Sequence, residues 1–295
     1  MSQVDSFFST VGMLEFPCDV ERLPNGNTLI ADAGDEQGQG SEILEVDPAG
    51  NLVWRYAEGL RFAHSAKRLE NGNTLIADTT NNRVIEVTND GNMVFSSDHW
   101  GDGSGTLSDG SHLHYPNDAH DLGDGRLLVT DRNNDRCVLV TREGQVEWVF
   151  DEGIQHPHNA DRLPNGNVII ADSDANRVIE VNREKQIVWS CEAESAGGLS
   201  WPRDADRLED GGTLIADSKN ARLLKVNAEG RVTWSYEAGY FANFYDADAL
   251  PNGNVLAVES EAGRVFEIDR TSGDIVWEYI NLIEPGLVGR VTQAI

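Results

Sequence analysis

The sequence predicts an all-β fold, a six-bladed β-propeller with four antiparallel strands in each blade, and three observations carry that expectation. One phrase recurs six times in 295 residues. Its clearest copies are His158-Asn-Ala-Asp-Arg-Leu-Pro-Asn-Gly-Asn-Val-Ile-Ile-Ala-Asp172 and Arg203-Asp-Ala-Asp-Arg-Leu-Glu-Asp-Gly-Gly-Thr-Leu-Ile-Ala-Asp217. Equivalent positions recur at intervals of 41 to 53 residues, as from Asp118 to Asn159 and from Ser65 to Asp118, a period that belongs to propeller blades. Within each copy, short apolar runs are separated by Asn-Gly or Asp-Gly, the signature of successive hairpins.

Taken in order, each repeat opens with a short strand closing on Arg-Leu or its equivalent, such as Asp121-Leu122 or Ala249-Leu250. The turn follows: Asn25-Gly26, Asn71-Gly72, Asp124-Gly125, Asn165-Gly166, Asp210-Gly211 and Asn252-Gly253. These dipeptides accept the positive φ of a tight hairpin. The second strand is unbroken and apolar, as in Thr28-Leu-Ile-Ala and Val168-Ile-Ile-Ala, which suits a strand covered on both faces. An acid ends it: Asp32, Asp78, Asp131, Asp172, Asp217 and Glu259. These acids are expected to tie turns to neighbouring Asn and Arg side chains. The third strand alternates, as in Arg177-Val-Ile-Glu-Val181. The fourth carries an aromatic residue: Trp54, Phe95, Trp148, Trp189, Trp234 or Trp277.

The repeats fill the chain, so residues 1–295 form one domain with blades beginning near 16, 62, 115, 156, 201 and 243. Every copy holds its own four strands, so closing the ring requires no exchange of strands. The segment Gly12-Met-Leu-Glu-Phe16 is placed to cover the edge of the last blade. Two connections are irregular. Ser96 to Tyr115, rich in Gly and Asp with three histidines, is the longest and is expected to be functional or mobile. Ala33 to Ser41 reads as a flexible insertion.

The net charge of −27 is spread along the chain, so nucleic acid and anionic membranes are not expected partners. Four lysines accompany nineteen arginines. A surface rich in carboxylates and poor in lysine suits strong brine, where salt screens self-repulsion, so a halophilic source is expected. No stretch approaches twenty apolar residues, which offers no membrane-spanning helix. Met1-Ser-Gln-Val-Asp-Ser-Phe-Phe lacks the basic and apolar regions of a secretory signal. Cys18, Cys137 and Cys191 lie in different repeats without framework spacing and read as small buried hydrophobes. Together these features lead to the expectation of a cytoplasmic protein.

Because the repeats align, they can be read down a column. The Leu and Gly columns show one residue type. The column just before the leading Asp, Asn or Ser shows five in six positions: Cys18, His64, Asn117, His158, Arg203 and Tyr245. Structural demands are nearly equal at equivalent positions, so this variety marks function. The first strand of a blade lines the axis, and these side chains are expected to converge at one channel mouth. The next column, Asp19, Ser65, Asp118, Asn159, Asp204 and Asp246, is nearly uniform and reads as backbone-bonding structure.

The seven histidines all lie at or before position 158. His112-Leu-His114 and His156-Pro-His158 are His-x-His pairs, and positions i and i+2 share a face of a strand. A divalent metal ion held by His112, His114 and His158 is therefore an alternative to acid–base roles. His120 is expected to point outward and His99 to lie in the loop; neither is given a role. His64, His158, Arg203 and Tyr245, with Cys18, Asn117 and His114 as further contacts, suit a small anionic or aromatic substrate. Arginine presents a planar fork to oxyanions, neutral imidazole attacks an electrophile or accepts a proton, and a phenol donates one. No phosphate loop, Gly-x-Ser-x-Gly or dinucleotide fingerprint is present, and no cofactor is expected.

His-x-Ala-x-Arg-Leu-Pro-Asn-Gly-Asn, followed by Leu-Ile-Ala-Asp, Arg-Val-Ile-Glu-Val and a closing Ile-Val-Trp, resembles the arylsulfotransferase-like propellers over nearly the whole chain. NHL-type and quinoprotein-like propellers share the pattern more loosely. The resemblance implies cofactor-free transfer of a sulfuryl group between phenols through a channel histidine, assisted by further histidines and an arginine. Carried onto this chain, it places His158 and His64 at the family's histidine position. The family's arginine follows a second strand as Ser-x-Arg, to which Thr130-Asp131-Arg132 comes nearest; Arg203 is an analogue for anion binding. The separate N-terminal β-domain of the periplasmic enzymes has no counterpart in this sequence.

Three readings follow. The first is a transferase with His158 as nucleophile or base, His64 and Arg203 stabilising the anion, and Tyr245 donating a proton. The second is a lyase or hydrolase, with or without a divalent metal, as in six-bladed NHL-type lyases. The third is a propeller that binds a ligand or protein without turnover.

Overall fold

Each repeat folds into a four-stranded antiparallel sheet whose strands run in chain order from the axis outwards, giving six blades. This computed structural model describes residues 14–238 and 242–280 together with the backbone of 290–291. The inner strands are Pro17–Arg22, Ala63–Arg68, Pro116–Asp121, Pro157–Arg162, Pro202–Arg207 and Phe244–Ala249. They neighbour one another around a ring, the last lying against the first. The second strands, such as Thr28–Asp32 and Val168–Asp172, are buried throughout. Their apolar runs fill the space between adjacent blades, where six hydrophobic clusters form the core.

The acids after the second strands are structural, as the sequence predicts. Asp78 accepts Arg61 N–H at 2.8 Å, Asn81 Nδ2 at 2.8 Å and Arg83 Nε at 2.7 Å. Asp131 and Asp217 repeat the arrangement with Asn134 and Arg136, and with Asn220 and Arg222. The leading acids join inner strands: Asp19 accepts Ala66 N–H, Asp204 accepts Ala247 N–H and Asp246 accepts Val20 N–H.

The fourth-strand tryptophans join the blades at their rims. Trp54, Trp148, Trp189 and Trp234 each donate Nε1–H to a carbonyl in the next blade, those of Asn89, Arg183, Ala228 and Arg270. Trp277 closes the ring with the same bond, to Pro48 of blade one at 3.0 Å. Blade two has Phe95 at this position. Its bond is restored by Trp100 from the long connection, which donates to Arg142 at 2.9 Å.

That connection is therefore anchored. Trp100, Leu107 and Leu113 are buried in the cluster between blades two and three, while His99, His112 and His114 are exposed. The Ala33–Ser41 insertion, read as a flexible loop, carries bonds of its own. Asp35 and Gln39 bond through their backbones at 2.9 Å, and Ser41 Oγ donates to Asp32 O. The outer edge of blade six is paired by Arg290–Val291. Of the segment 12–16, expected to protect an edge beside the last blade, Leu14 packs into the core uniting blades one and six. Gly12, Met13 and the segment 1–8 read for a signal lie outside the described residues.

Candidate functional site

The variable column owes its direction to a backbone irregularity shared by all six blades. Between the first and second strands Pro17 pairs with Asp32 and Asp19 with Ala31, leaving Cys18 with no opposite number. The same shift isolates His64, Asn117, His158, Arg203 and Tyr245. A β-bulge frees one residue from the ladder and re-aims its side chain. Here it turns six side chains towards the axis. With the following column they enclose a cavity of about 20 Å³, roughly the room of one water molecule. The expected convergence is present, as a packed constriction rather than an open channel.

Within it the His64 and His158 rings meet edge to face at 5.2 Å between centroids. His64 stacks on Tyr245 at 5.9 Å, and His158 meets Tyr245 at 5.4 Å. The Arg203 guanidinium lies 3.5 Å over the Tyr245 ring, and its Nη1 is 3.2 Å from His158 Nε2. No carboxylate pairs with Arg203 among the described residues. Its Nε, His64 Nδ1 and both amide atoms of Asn117 are buried without a hydrogen-bond partner. In a chain of net charge −27, a largely buried guanidinium with no carboxylate among the described residues can present its N–H groups to an anion.

The electrostatics agree. Burial, reinforced by Arg203 and Arg132, lowers His64 to about 3. Burial and then Arg203 hold His158 well below the ordinary range. Both imidazoles are neutral at pH 7 and keep a lone pair for a proton or an electrophile. Burial raises the Tyr245 phenol, leaving it a donor, and burial raises the Cys18 thiol.

Arg132 belongs to the site as well. In its column Thr79, Ser173, Ser218 and Ser260 donate a hydroxyl hydrogen to the carbonyls of Pro116, Pro202, Phe244 and Pro17 in the next blade. Blade three gives up that bond. Its guanidinium instead lies 5.9 Å from the Tyr115 ring and acts on both histidines. The sequence signal is the one long cation in a column of small residues. It is the arginine of Thr130-Asp131-Arg132.

Above the constriction lies an aromatic rim, two residues before the variable column: Phe16, Phe62, Tyr115, His156 and Trp201, with Asn243 in blade six. Phe62, Tyr115, His156 and Trp201 have φ between 45° and 59°. Such left-handed backbone costs a bulky residue on the order of 1–3 kcal/mol. Three of the four also precede proline, which restricts them further.

His114 and His112 do not join His158. Both are exposed; His114 N–H bonds to Asp131, and the His112 ring is 3.1 Å from Thr106 Oγ1. Among the described residues no three His, Cys, Asp or Glu side chains are arranged to hold a metal ion. His156 turns to Asp174 at 2.5 Å. His120 corrects the outward reading. Its Nε2 is 2.9 Å from Asp118 and 3.1 Å from Asp161. Burial opposes its charge, but these two carboxylates overcome that and raise it to about 9. Lys67 Nζ similarly sits 2.8 Å from Asp19. Both follow the variable column by three, at the other end of the inner strands, where acids outnumber them.

A propeller whose six blades deliver one uncompensated guanidinium, two neutral imidazoles and a phenol to a single point is a repeat protein with one axial site. The chain belongs to the family described as outer membrane protein assembly factor BamB, whose profile matches residues 39–279. No curated protein matches it. Among solved structures it is similar to a protein of unknown function from Bacteroides caccae, with 18% identity and a TM-score of 0.63 over 90% of this chain and 97% of that one. It is also similar to a streptogramin B lyase, at 13% identity and a TM-score of 0.66 over 94% and 87%. Virginiamycin B lyase from Staphylococcus aureus gives 13% and 0.65 over 92% and 86%. These likenesses show the propeller fold.

Proposed function

We propose that the chain is a cofactor-free transferase of the arylsulfotransferase type, moving a small anionic group from an aromatic donor at the rim end of the axis. The observation that carries this reading is the buried Arg203 guanidinium, without a carboxylate, 3.2 Å from neutral His158. A bound sulfuryl group takes the guanidinium N–H bonds and releases His158 Nε2. That lone pair attacks sulfur, the S–O bond to the aryl group breaks, and the oxygen leaves with the bonding pair. Tyr245 supplies a proton to the leaving oxygen; an acceptor phenol then gives its proton back to Tyr245 as its oxygen attacks sulfur, the S–N bond breaks and His158 is freed. His64, held neutral beside both residues, positions the ring, while Asn117 and Cys18 line the same point.

The test is turnover of 4-nitrophenyl sulfate at high salt, with and without a phenol acceptor. Acceptor-dependent nitrophenol release is expected, with a loss of about a hundredfold or more in His158→Ala and Arg203→Gln at unchanged melting temperature. A folded wild-type protein that releases none overturns the transferase reading.

The smallness of the axial space favours a second reading, a ligand-binding propeller without turnover. Inorganic sulfate that binds in an Arg203-dependent manner without turnover would identify it. A lyase using the channel histidines rests on the fold likeness to the streptogramin and virginiamycin lyases and has no separate observation behind it.

A further inference from the structure

We infer that Tyr115 and Trp201 are the specificity-determining residues of this site, a pair of aromatic walls that hold a planar ring above His158. The inference rests on the anion-site reading just given and adds the residues that would select its aromatic part.

Four of the six rim residues occupy left-handed backbone, where glycine or asparagine fits with far less strain. Elsewhere the chain fills its positive-φ positions mostly with glycine, and otherwise with Asn, Asp, Ala or Lys, yet at this column it places Phe62, Tyr115, His156 and Trp201. The conformation is imposed from outside. Tyr115 N–H is bonded to Asn82 Oδ1, His156 N–H to Asp135 Oδ1 and Trp201 N–H to Asn176 Oδ1, each at 2.7 or 2.8 Å. Those bonds belong to the backbone and need no aromatic ring. The ring must be retained for what it presents.

The rim is not uniform. Over blades one and two it is filled, with Phe16 against Phe62 at 6.0 Å, Phe16 against Tyr245 at 5.1 Å and Phe62 against His64 at 5.2 Å. Over blade four His156 turns aside to Asp174, and His158 lies beneath. The flanking blades supply Tyr115 with Arg132 at 5.9 Å, and Trp201 with Lys219 at 3.3 Å and Arg203 at 5.4 Å. Two aromatic faces, each beside a cation, thus flank blade four, which carries His158, and Tyr115 also meets His64 at 6.2 Å. A planar aromatic ring with an anionic substituent matches both parts: the ring stacks on the walls and the charge meets the guanidinium groups.

The experiment is calorimetric binding of two probes, inorganic sulfate and 4-nitrophenyl sulfate, to the wild-type protein, Tyr115→Asn, Trp201→Asn and Arg203→Gln. The wild-type protein is expected to bind the aryl probe about tenfold or more tightly than sulfate. Each asparagine variant is expected to lose that margin while its melting temperature holds or rises, because asparagine relieves the left-handed strain. A structural role for the rings predicts the opposite pair of results. A lower melting temperature with the margin intact overturns the inference and leaves the anion site standing. Failure of the wild-type protein to bind either probe, or binding that ignores Arg203→Gln, overturns the anion-site reading and the inference with it.

Discussion

His120 shows how much one side chain's direction changes its chemistry. Wedged between Asp118 and Asp161, it binds its proton more tightly in the fold, at about 9 against an ordinary 6.5. Its stabilising contribution is complete below about pH 6.5 and is lost as pH rises through 9. The melting temperature of His120→Gln should therefore fall furthest below wild type at pH 6 and converge on it above pH 9. A gap independent of pH would remove the proton from the explanation. The sequence concealed this because the column of His120 also holds Asp161 and Asp206, which read as outward polar residues. The variable column was legible for the opposite reason: it broke a rule its neighbours kept. Arg132 broke a rule too, but in a column of small residues whose hydroxyl bonds become visible only once blades are side by side.

At the scale of the element, the strands and turns were open to reading because alternation, Asn-Gly turns and apolar runs are local signals. The bulge was not, since a register shift is a relation between two strands. Nor was the part played by the long connection. Trp100 replaces the bond that Phe95 cannot make, and Gly144 leaves room for it: a Cβ there would meet the indole Cγ at 2.7 Å. Trp100→Phe removes the donor and should cost about 1 kcal/mol in denaturant unfolding. Trp100→Ala also empties the space between blades two and three and should cost about 3–5 kcal/mol. Equal, negligible losses in both variants would show that the connection only spans the gap. His112 and His114 ride on the same segment, which anchors through its apolar residues and leaves those histidines exposed.

For the whole molecule, a net charge of −27 on 295 residues sets a repulsion that the fold must overcome. Screening reduces it, and the melting temperature should rise between about 0.1 M and about 2 M NaCl. A flat or falling curve would dispose of the brine-adapted reading. Ring closure relies on contacts of the kinds that recur at other blade junctions: Trp277 to Pro48, Ser260 to Pro17 and Asp246 to Val20. The periodicity of the sequence announced six blades, and the closing bonds are simply the sixth set. One property of this ring reaches beyond its present chemistry. The six inward residues stand outside the ladder, so no strand pairing depends on which side chain each one carries. Such a scaffold separates heritable change in activity from change in architecture. Randomising those positions together should yield a library in which most members still assemble, from which selection could draw new ligands without relearning the fold.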